Sequence, residues 1–463
     1  MDKKRQKTSK KSVLMVTALT NFMGPFMISS VNVALPALQD EFSLDAVLLS
    51  WIANAYLLAS GVSLVPVGKI ADIYGRKKVF ASGIFIFSLF AVATAYCPSI
   101  FWLIVCRILQ GLGAAMTMAT SFAIISAVFP LNERGRAIGI TVAAVYMGLS
   151  LGPSAGGMLT SYFGWRSIFL VNGPIGLLAF VLCFNKIRDE WADAQGERLD
   201  VFGSGLYGIS LVGIIYGLSM LPRFIGLALL GVGLLGLSAF LRQEMRTQFP
   251  VFEVRLFRNN RTFAFSSLAA LINYAATFAV AFLLSLYLQY IKGMSPKHAG
   301  LVLVCQPLVM ALFSPLAGRL SDRIQPAVIA SLGMALTAAG LMLLIFLSNT
   351  TSTAYIVASL VILGFGFALF SSPNMNAIMS SVERRYYGVA SGTVATMRLI
   401  GQMLSMAIAT LVFSLLMGNA PISSANYGAF LTSVELVFSF FSGLCLVGIY
   451  FSLARGSLRR QMN

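Results

Sequence analysis

Residues 68–79 read GKIADIYGRKKV, and a thinner copy, GRLSDR, recurs at residues 318–323. The first stretch sets five charges in twelve residues, inside a 463-residue chain that is 58% hydrophobic and only 11% Asp, Glu, Lys or Arg. Soluble proteins carry about 25% charged residues, and the mean hydropathy here is +0.83. Length alone would suggest about three soluble domains of roughly 150 residues. Composition overrules it. The apolar residues fall in blocks of 18 to 30, each long enough to cross a hydrocarbon core of about 30 Å as a helix. The chain reads as an all-α polytopic membrane protein, with the charged islands as loops between its spans.

Counting blocks gives fourteen spans, near residues 13–36, 47–67, 79–96, 101–129, 137–162, 165–185, 200–221, 223–241, 263–290, 299–318, 326–347, 354–378, 388–417 and 427–454. If the N-terminus is cytoplasmic, alternate loops hold 27 of the 33 Lys and Arg, the opposite loops hold four, and two lie inside spans. The favoured side includes Lys3, Lys4, Arg5, Lys10, Lys11, Lys78, Arg134, Arg384, Arg385, Arg459 and Arg460. That asymmetry follows the positive-inside rule and puts both termini in the cytoplasm. It also accounts for the net charge of +17 without a nucleic-acid partner. The first span follows a basic leader, yet its apolar stretch is too long for a signal-peptide core and it lacks an obvious small-residue cleavage site. It is expected to remain as an anchor. Cys97, Cys106, Cys183, Cys305 and Cys445 are scattered, with no C-x-x-C pair, and imply neither a metal site nor a disulfide framework. His298, in a short external loop, reads as a surface residue.

The echo of the opening stretch is one of two landmarks of an internal repeat. GKIAD aligns with GRLSD at an offset of 250, while Gly135, Gly139 and Gly148 align with Gly388, Gly392 and Gly401 at an offset of 253. Spans one to six thus match spans nine to fourteen in order and orientation, an arrangement known from transporters whose parallel halves bind substrate between them near midplane. The expected organisation is a basic N-terminus (1–12), a six-helix bundle (13–185), a linker with two additional helices (186–262), a second six-helix bundle (263–454) and a cytoplasmic tail (455–463). The charged connections 186–199 and 242–262 are expected along the membrane surface.

GKIADIYGRKKV closely resembles the loop between spans two and three of the major facilitator superfamily. RILQGLGAA (107–115) resembles that superfamily's fourth-span motif, and GLSLGPSAGGML (148–159) is similar to the fifth-span motif of its antiporters. The span count, VNVALP (31–36) and WIANAY (51–56) resemble the fourteen-span drug:proton antiporters. The resemblance covers nearly the whole chain. It implies a major-facilitator-type fold in the cell membrane and export of hydrophobic or amphipathic drug-like compounds in exchange for protons. The partners it implies are a small-molecule substrate, protons and the lipid bilayer, with a monomeric protein and no cofactor. The alternative is a transporter of one metabolite or lipid with weak or no proton coupling. A membrane-embedded enzyme would need a nucleophile–base pair, a metal cluster or a phosphate loop, and no such motif occurs.

In the opening stretch, Gly68 and Gly75 allow a tight turn and close helix approach. Asp72 can accept hydrogen bonds from helix-terminal amides and pair with a basic residue such as Arg136. Topology alone explains Arg76, Lys77 and Lys78, but it requires neither an acid nor a glycine. The resemblance implies that these residues, with Gly318 and Asp322 in the echo, form gating contacts that lock the halves while the outside is open. Arg107 lies inside an apolar run, where an Arg costs about 2.5 kcal/mol or more unless paired or hydrated. It is either a structural tie to backbone carbonyls or Gln110, or part of proton movement, and Arg398 in span thirteen raises the same choice. Gly148, Gly152, Gly156 and Gly157 give span five a small-residue face, and Pro153 bends it. That reads as a hinge helix meeting a partner from the other half.

One family feature is missing. Fourteen-span relatives often carry an acid in span one, at the position held here by Met27, and span one has no acid at all. Glu435, inside the last span, is the remaining acid that could carry a proton; it could equally be an interface acid bonded to Ser433 or Thr432, or one that snorkels outward. Asn21, Asn54, Gln110, Asn273, Tyr274, Gln289, Gln306, Asn374, Asn376 and Gln402 could line a cavity suited to varied amphipathic molecules, or could instead join helices.

Overall fold

The structure is a computed structural model, and it describes residues 8–248, 250–382, 387–418 and 420–455, except the side chains of residues 131, 132, 134–136, 322, 387, 388 and 391. Arg136 and Asp322, two of the expected gating residues, therefore lie outside the described residues, as do Arg384, Arg385, Arg459 and Arg460.

The chain runs through α1 (Lys10–Phe42), α2 (Ala46–Tyr74), α3 (Arg76–Ala95), α4 (Ile100–Val128), α5 (Leu131–Phe163), α6 (Arg166–Lys186), α7 (Val201–Met220) and α8 (Phe224–Arg246). A short α9 (Val254–Asn259) precedes α10 (Arg261–Leu286), α11 (Pro296–Leu303), α12 (Cys305–Arg323), α13 (Pro326–Ile345), α14 (Thr353–Ser380), α15 (Tyr387–Leu416) and α16 (Tyr427–Ala454). Among the described residues, 14 helical segments are long and apolar enough to cross a membrane. A helix satisfies its own backbone, which lipid cannot do. Several first turns are closed by side-chain caps, among them Asp45 accepting from the Leu48 amide and Asn260 from the Phe263 amide.

The tenth span differs from the uninterrupted helix expected at 299–318. It is α11 followed by α12, with a break at Val304. Pro307 lacks the N–H that would bond the Leu303 carbonyl, which weakens the helix at that point.

Helix pairing repeats along the chain. In the first six helices α1 packs on α5 and α6, α2 on α4, and α3 on α4 and α6. In the last six spans α10 packs on α15 and α16, α12 on α14, and α13 on α14 and α16. The two sets meet along α2–α15 and along α5 with α11 and α12. Helices α7 and α8 pack face to face through glycines, since a Cβ at Gly213 would strike the Gly233 backbone and one at Gly217 the Leu230 amide. α7 rests on both α2 and α15. α8 is the outermost helix, with Leu227, Leu234 and Leu235 on its exposed face.

Candidate functional site

A cavity opens between the halves. Its walls include Asn21 and Ile28 from α1, Tyr56 from α2, Phe87 from α3, Tyr146 from α5, Tyr274 and Phe278 from α10, Phe367 from α14, and Arg398 and Gln402 from α15. Its volume is about 130 Å³, well above the roughly 10–15 Å³ that admits one water. Of the expected lining residues it gathers Asn21, Tyr274 and Gln402. It also gathers Arg398, which is the one charged side chain on the cavity wall among the described residues. Arg398 and Gln402 are one turn apart and share a face of α15.

The other polar residues named from sequence sit elsewhere. Asn54 donates to Thr410 Oγ1 at 3.0 Å, which joins α2 to α15. Gln289, in the π-helical turn Tyr287–Ile291 that follows α10, donates to the Val33 carbonyl at 3.0 Å, which joins that turn to α1. Asn374 is buried between the Ser266 carbonyl and the Arg455 guanidinium, and Asn376 donates to Ser321 Oγ. Asn273 is fully buried with neither side-chain polar atom partnered. Gln110 is buried against Arg107, and Gln306 is outside the cavity wall, on α12 facing α14 through its carbonyl near Gly364.

At the end away from the basic loops, the halves are tied together. Ser50 and Asn54 both reach Thr410, the Ala46 amide donates to the Ala420 carbonyl, and Gln39 donates to the Ile422 carbonyl. Ser285 donates to the Asn32 carbonyl at 2.7 Å. On the other seam, the glycine face of α5 divides its work. Gly148, Gly152 and Gly156 face Phe22, Ser29 and Ser30 of α1, within the same half. Gly157 faces the Pro296 carbonyl across the seam, and Gly300 of α11 faces the Pro153 carbonyl in return. A Cβ at either of the last two would collide with backbone, so glycine is required there.

On the basic face the 68–79 stretch is engaged by the connection that follows α6. Arg76 bridges Asp72 at 2.7 Å and Asp193 at 2.8 Å. Lys69 pairs with Glu197. Glu190 accepts from the amides of Lys77 and Lys78, and the Asp72 carbonyl accepts from the Ala194 amide. Gly75 makes the turn at φ +122°, and a Cβ there would meet the Glu190 carboxylate. Gly68 differs from the expected close approach. It lies within α2, and a Cβ would make ordinary contact with Ala119. In the echo, a Cβ at Gly318 would meet Ser372 Oγ at 2.8 Å.

Arg107 is 1% exposed. Its Nε donates to the Ile52 carbonyl at 3.0 Å, its Nη1 donates to Gln110 Oε1 at 2.6 Å, and its guanidinium lies 4.4 Å from the Tyr56 ring centroid. This is the geometry of a tie between α4 and α2 placed directly behind a cavity residue. Glu435 is exposed on α16, beside exposed Leu436, and apart from the cavity. α16 buries Val434, Val437, Phe438 and Phe441 against its neighbours, which turns position 435 outward. Ser433 and Thr432 bond the Ala429 and Gly428 carbonyls instead of Glu435. Sequence reasoning missed Thr410, Gly300 and the acids of 190–197. It also missed buried Arg455, whose pKa burial lowers to about 10, leaving it a cation at neutral pH. Thr410 sits in an apolar run with no local signal; the run of acids at 189–197 opposite a basic loop was a readable one.

Comparison with known proteins gives the following. The Major Facilitator Superfamily profile matches residues 17–406. The chain is 32% identical over 405 residues to the riboflavin transporter RibZ of Clostridioides difficile, covering 87% of each chain. It is also 32% identical over 405 residues to the multidrug resistance protein Stp of Mycobacterium tuberculosis, covering 85% of this chain and 75% of that one. The puromycin resistance protein pur8 of Streptomyces alboniger is 32% identical over 387 residues, with 82% and 76% covered. Among solved structures, a bacterial homolog of the human lysosomal transporter Spinster, inward-facing and unoccupied, superposes with a TM-score of 0.71 at 17% identity over 96% of both chains.

Proposed function

The chain belongs to the Major Facilitator Superfamily, as a multi-pass transporter of the cell membrane, and from that premise we propose that it exports hydrophobic or amphipathic drug-like compounds by alternating access in exchange for protons. One observation carries the reading: a cavity is walled by both halves, and hydrogen bonds that join the halves gather at the end opposite the basic loops. With the basic face cytoplasmic, as the positive-inside rule requires, this is the state open toward the cytoplasm, ready to load. Names of relatives that speak of multidrug and puromycin resistance support the substrate class and the outward direction. A riboflavin transporter at the same identity favours a second reading, a carrier for one metabolite.

Neither Met27 nor outward-facing Glu435 carries the proton in this reading. Asp72 on the basic face and Arg398 on the cavity wall are the charged groups this reading places beside the path. Asp72 acts as a latch: in the loading state it holds Arg76 within its own half, and closing that face requires the pair and its acidic partners to rearrange. Asp72→Asn should lower initial transport rates several-fold with membrane insertion intact. Asp193→Asn should cost less, because Asp193 is 71% exposed and exposed pairs contribute little. Loss of insertion in Asp72→Asn would make the stretch a structural loop only.

The reading is tested by uptake of amphipathic fluorescent dyes of both charge signs into inverted vesicles under an imposed pH gradient. Accumulation above control vesicles, abolished when the gradient is collapsed and unchanged in Glu435→Gln, is the expected result. Accumulation indifferent to the gradient contradicts the proton exchange. No accumulation of any dye contradicts export of drug-like compounds.

A further inference from the structure

We propose that the cavity selects substrates with an oxyanion on an aromatic body, and that Arg398 is the residue that reads the oxyanion. The inference rests on the transporter reading above and narrows its substrate class. Arg398 lies on the cavity wall and is partly exposed to it. Among the described residues no carboxylate comes within ion-pairing distance of it and none lines the cavity. A cation held deep in a bundle is costly, and such charges are found facing water-filled cavities where a partner can reach them. Here the ligand is the partner that arrives.

The surroundings match that role. Tyr274 shares the cavity wall with Arg398. Tyr146 is on the same cavity wall, with its Oη 3.3 Å from Ser371 Oγ. Gln402 presents an amide one turn along α15. A planar guanidinium with neighbouring hydroxyl and amide donors is suited to a carboxylate, phosphate or sulfonate, which it can grip through two parallel bonds. Beside this polar end the wall is aromatic: Phe367 meets Tyr274 edge-on at 5.6 Å, with Phe278 nearby. Those rings accept a flat body by stacking. An organic cation finds no carboxylate there and is repelled by the guanidinium.

The test uses the full-length protein in detergent and three probes that share one ring system: 2-naphthoate, 2-naphthyl phosphate and (2-naphthylmethyl)trimethylammonium, each titrated calorimetrically. Wild type should bind at least one of the two anions about tenfold or more tighter than the cation, the scale of a charge-assisted contact. The stronger anion tells carboxylate from phosphate recognition. Arg398→Gln should erase the preference without shifting the thermal unfolding midpoint, and Arg398→Lys should keep its sign while weakening it. A cation bound as tightly as both anions, no binding of any probe, or a preference that survives Arg398→Gln overturns the proposal. Gradient-driven export of dyes with no anion preference would fail this inference and leave the exporter reading standing. Arg398-dependent anion binding without export would do the reverse.

Discussion

Gly300→Val should leave the protein inserted in the membrane and remove nearly all of its transport. α11 runs against α5 so closely that a Cβ at Gly300 falls on the Pro153 carbonyl, with the Ser154 backbone just behind. A branched side chain there cannot escape by rotating, because the obstacle is backbone. The contact exists only where the two halves meet, so each half can still fold. What suffers is the state closed at that end. Overpacking of this kind costs about 1–3 kcal/mol, and every 1.4 kcal/mol moves a two-state population about tenfold. The expected fall in initial rate is therefore about fivefold to 150-fold, read in the vesicle assay against protein level. Gly139→Ala is the control, since a Cβ there meets nothing within 4 Å; it should transport like wild type. Equal losses in both variants, or full activity in Gly300→Val, would contradict the account of the seam.

Arg107→Met is the second change with a large expected effect. Methionine keeps the length and flexibility of the side chain while removing the charge. A buried charge replaced by an apolar group of similar size is often neutral for stability, so insertion and thermal midpoint should change little. Gln110 Oε1, left without its donor, offsets part of any gain. Transport should nevertheless drop by about tenfold, the scale of one lost charge-assisted contact, because the guanidinium fixes Tyr56 from behind and anchors α4 to the Ile52 carbonyl. Ile52 lies between Ser50 and Asn54, the two residues that reach Thr410 across the seam. Arg107→Lys should restore little, since an ammonium cannot hold the carbonyl, the amide and the ring at once. Transport retained in Arg107→Met would reduce the residue to a packing element.

How much of this was legible in the sequence depended on whether a residue's role is set locally. Spans were readable because hydropathy is a local property, and their number was right. The repeat was readable because equivalent positions face equivalent constraints: Gly148 and Gly401, 253 residues apart, each press on the first helix of their own half, at Phe22 and Leu271. Gly139 and Gly392 share the spacing but have open space where a Cβ would go, so the landmark did not identify a contact there. Seam residues were hard to read for a different reason. Gln289, Asn54 and Gly300 matter for what stands opposite them, which no window of sequence contains. Glu435 shows the limit most plainly, since a polar residue in an apolar run has two faces available and packing decides between them. Arg107 and Arg398 looked alike in sequence, yet one is 1% exposed behind the cavity wall and the other is on it.

Alternating access itself is tested most directly by distances measured at both ends of the same molecule. Spin labels at Tyr74 and Ile324 report the basic face, and labels at Ser43 and Ser424 report the opposite end; all four positions are exposed. Under conditions that support transport, a second population should appear in which the Ser43–Ser424 distance lengthens as the Tyr74–Ile324 distance shortens. Gly300→Val should populate it without any gradient. Distances that stay fixed while transport proceeds, or that lengthen together at both ends, would contradict a mechanism in which the two halves rock about the cavity between them.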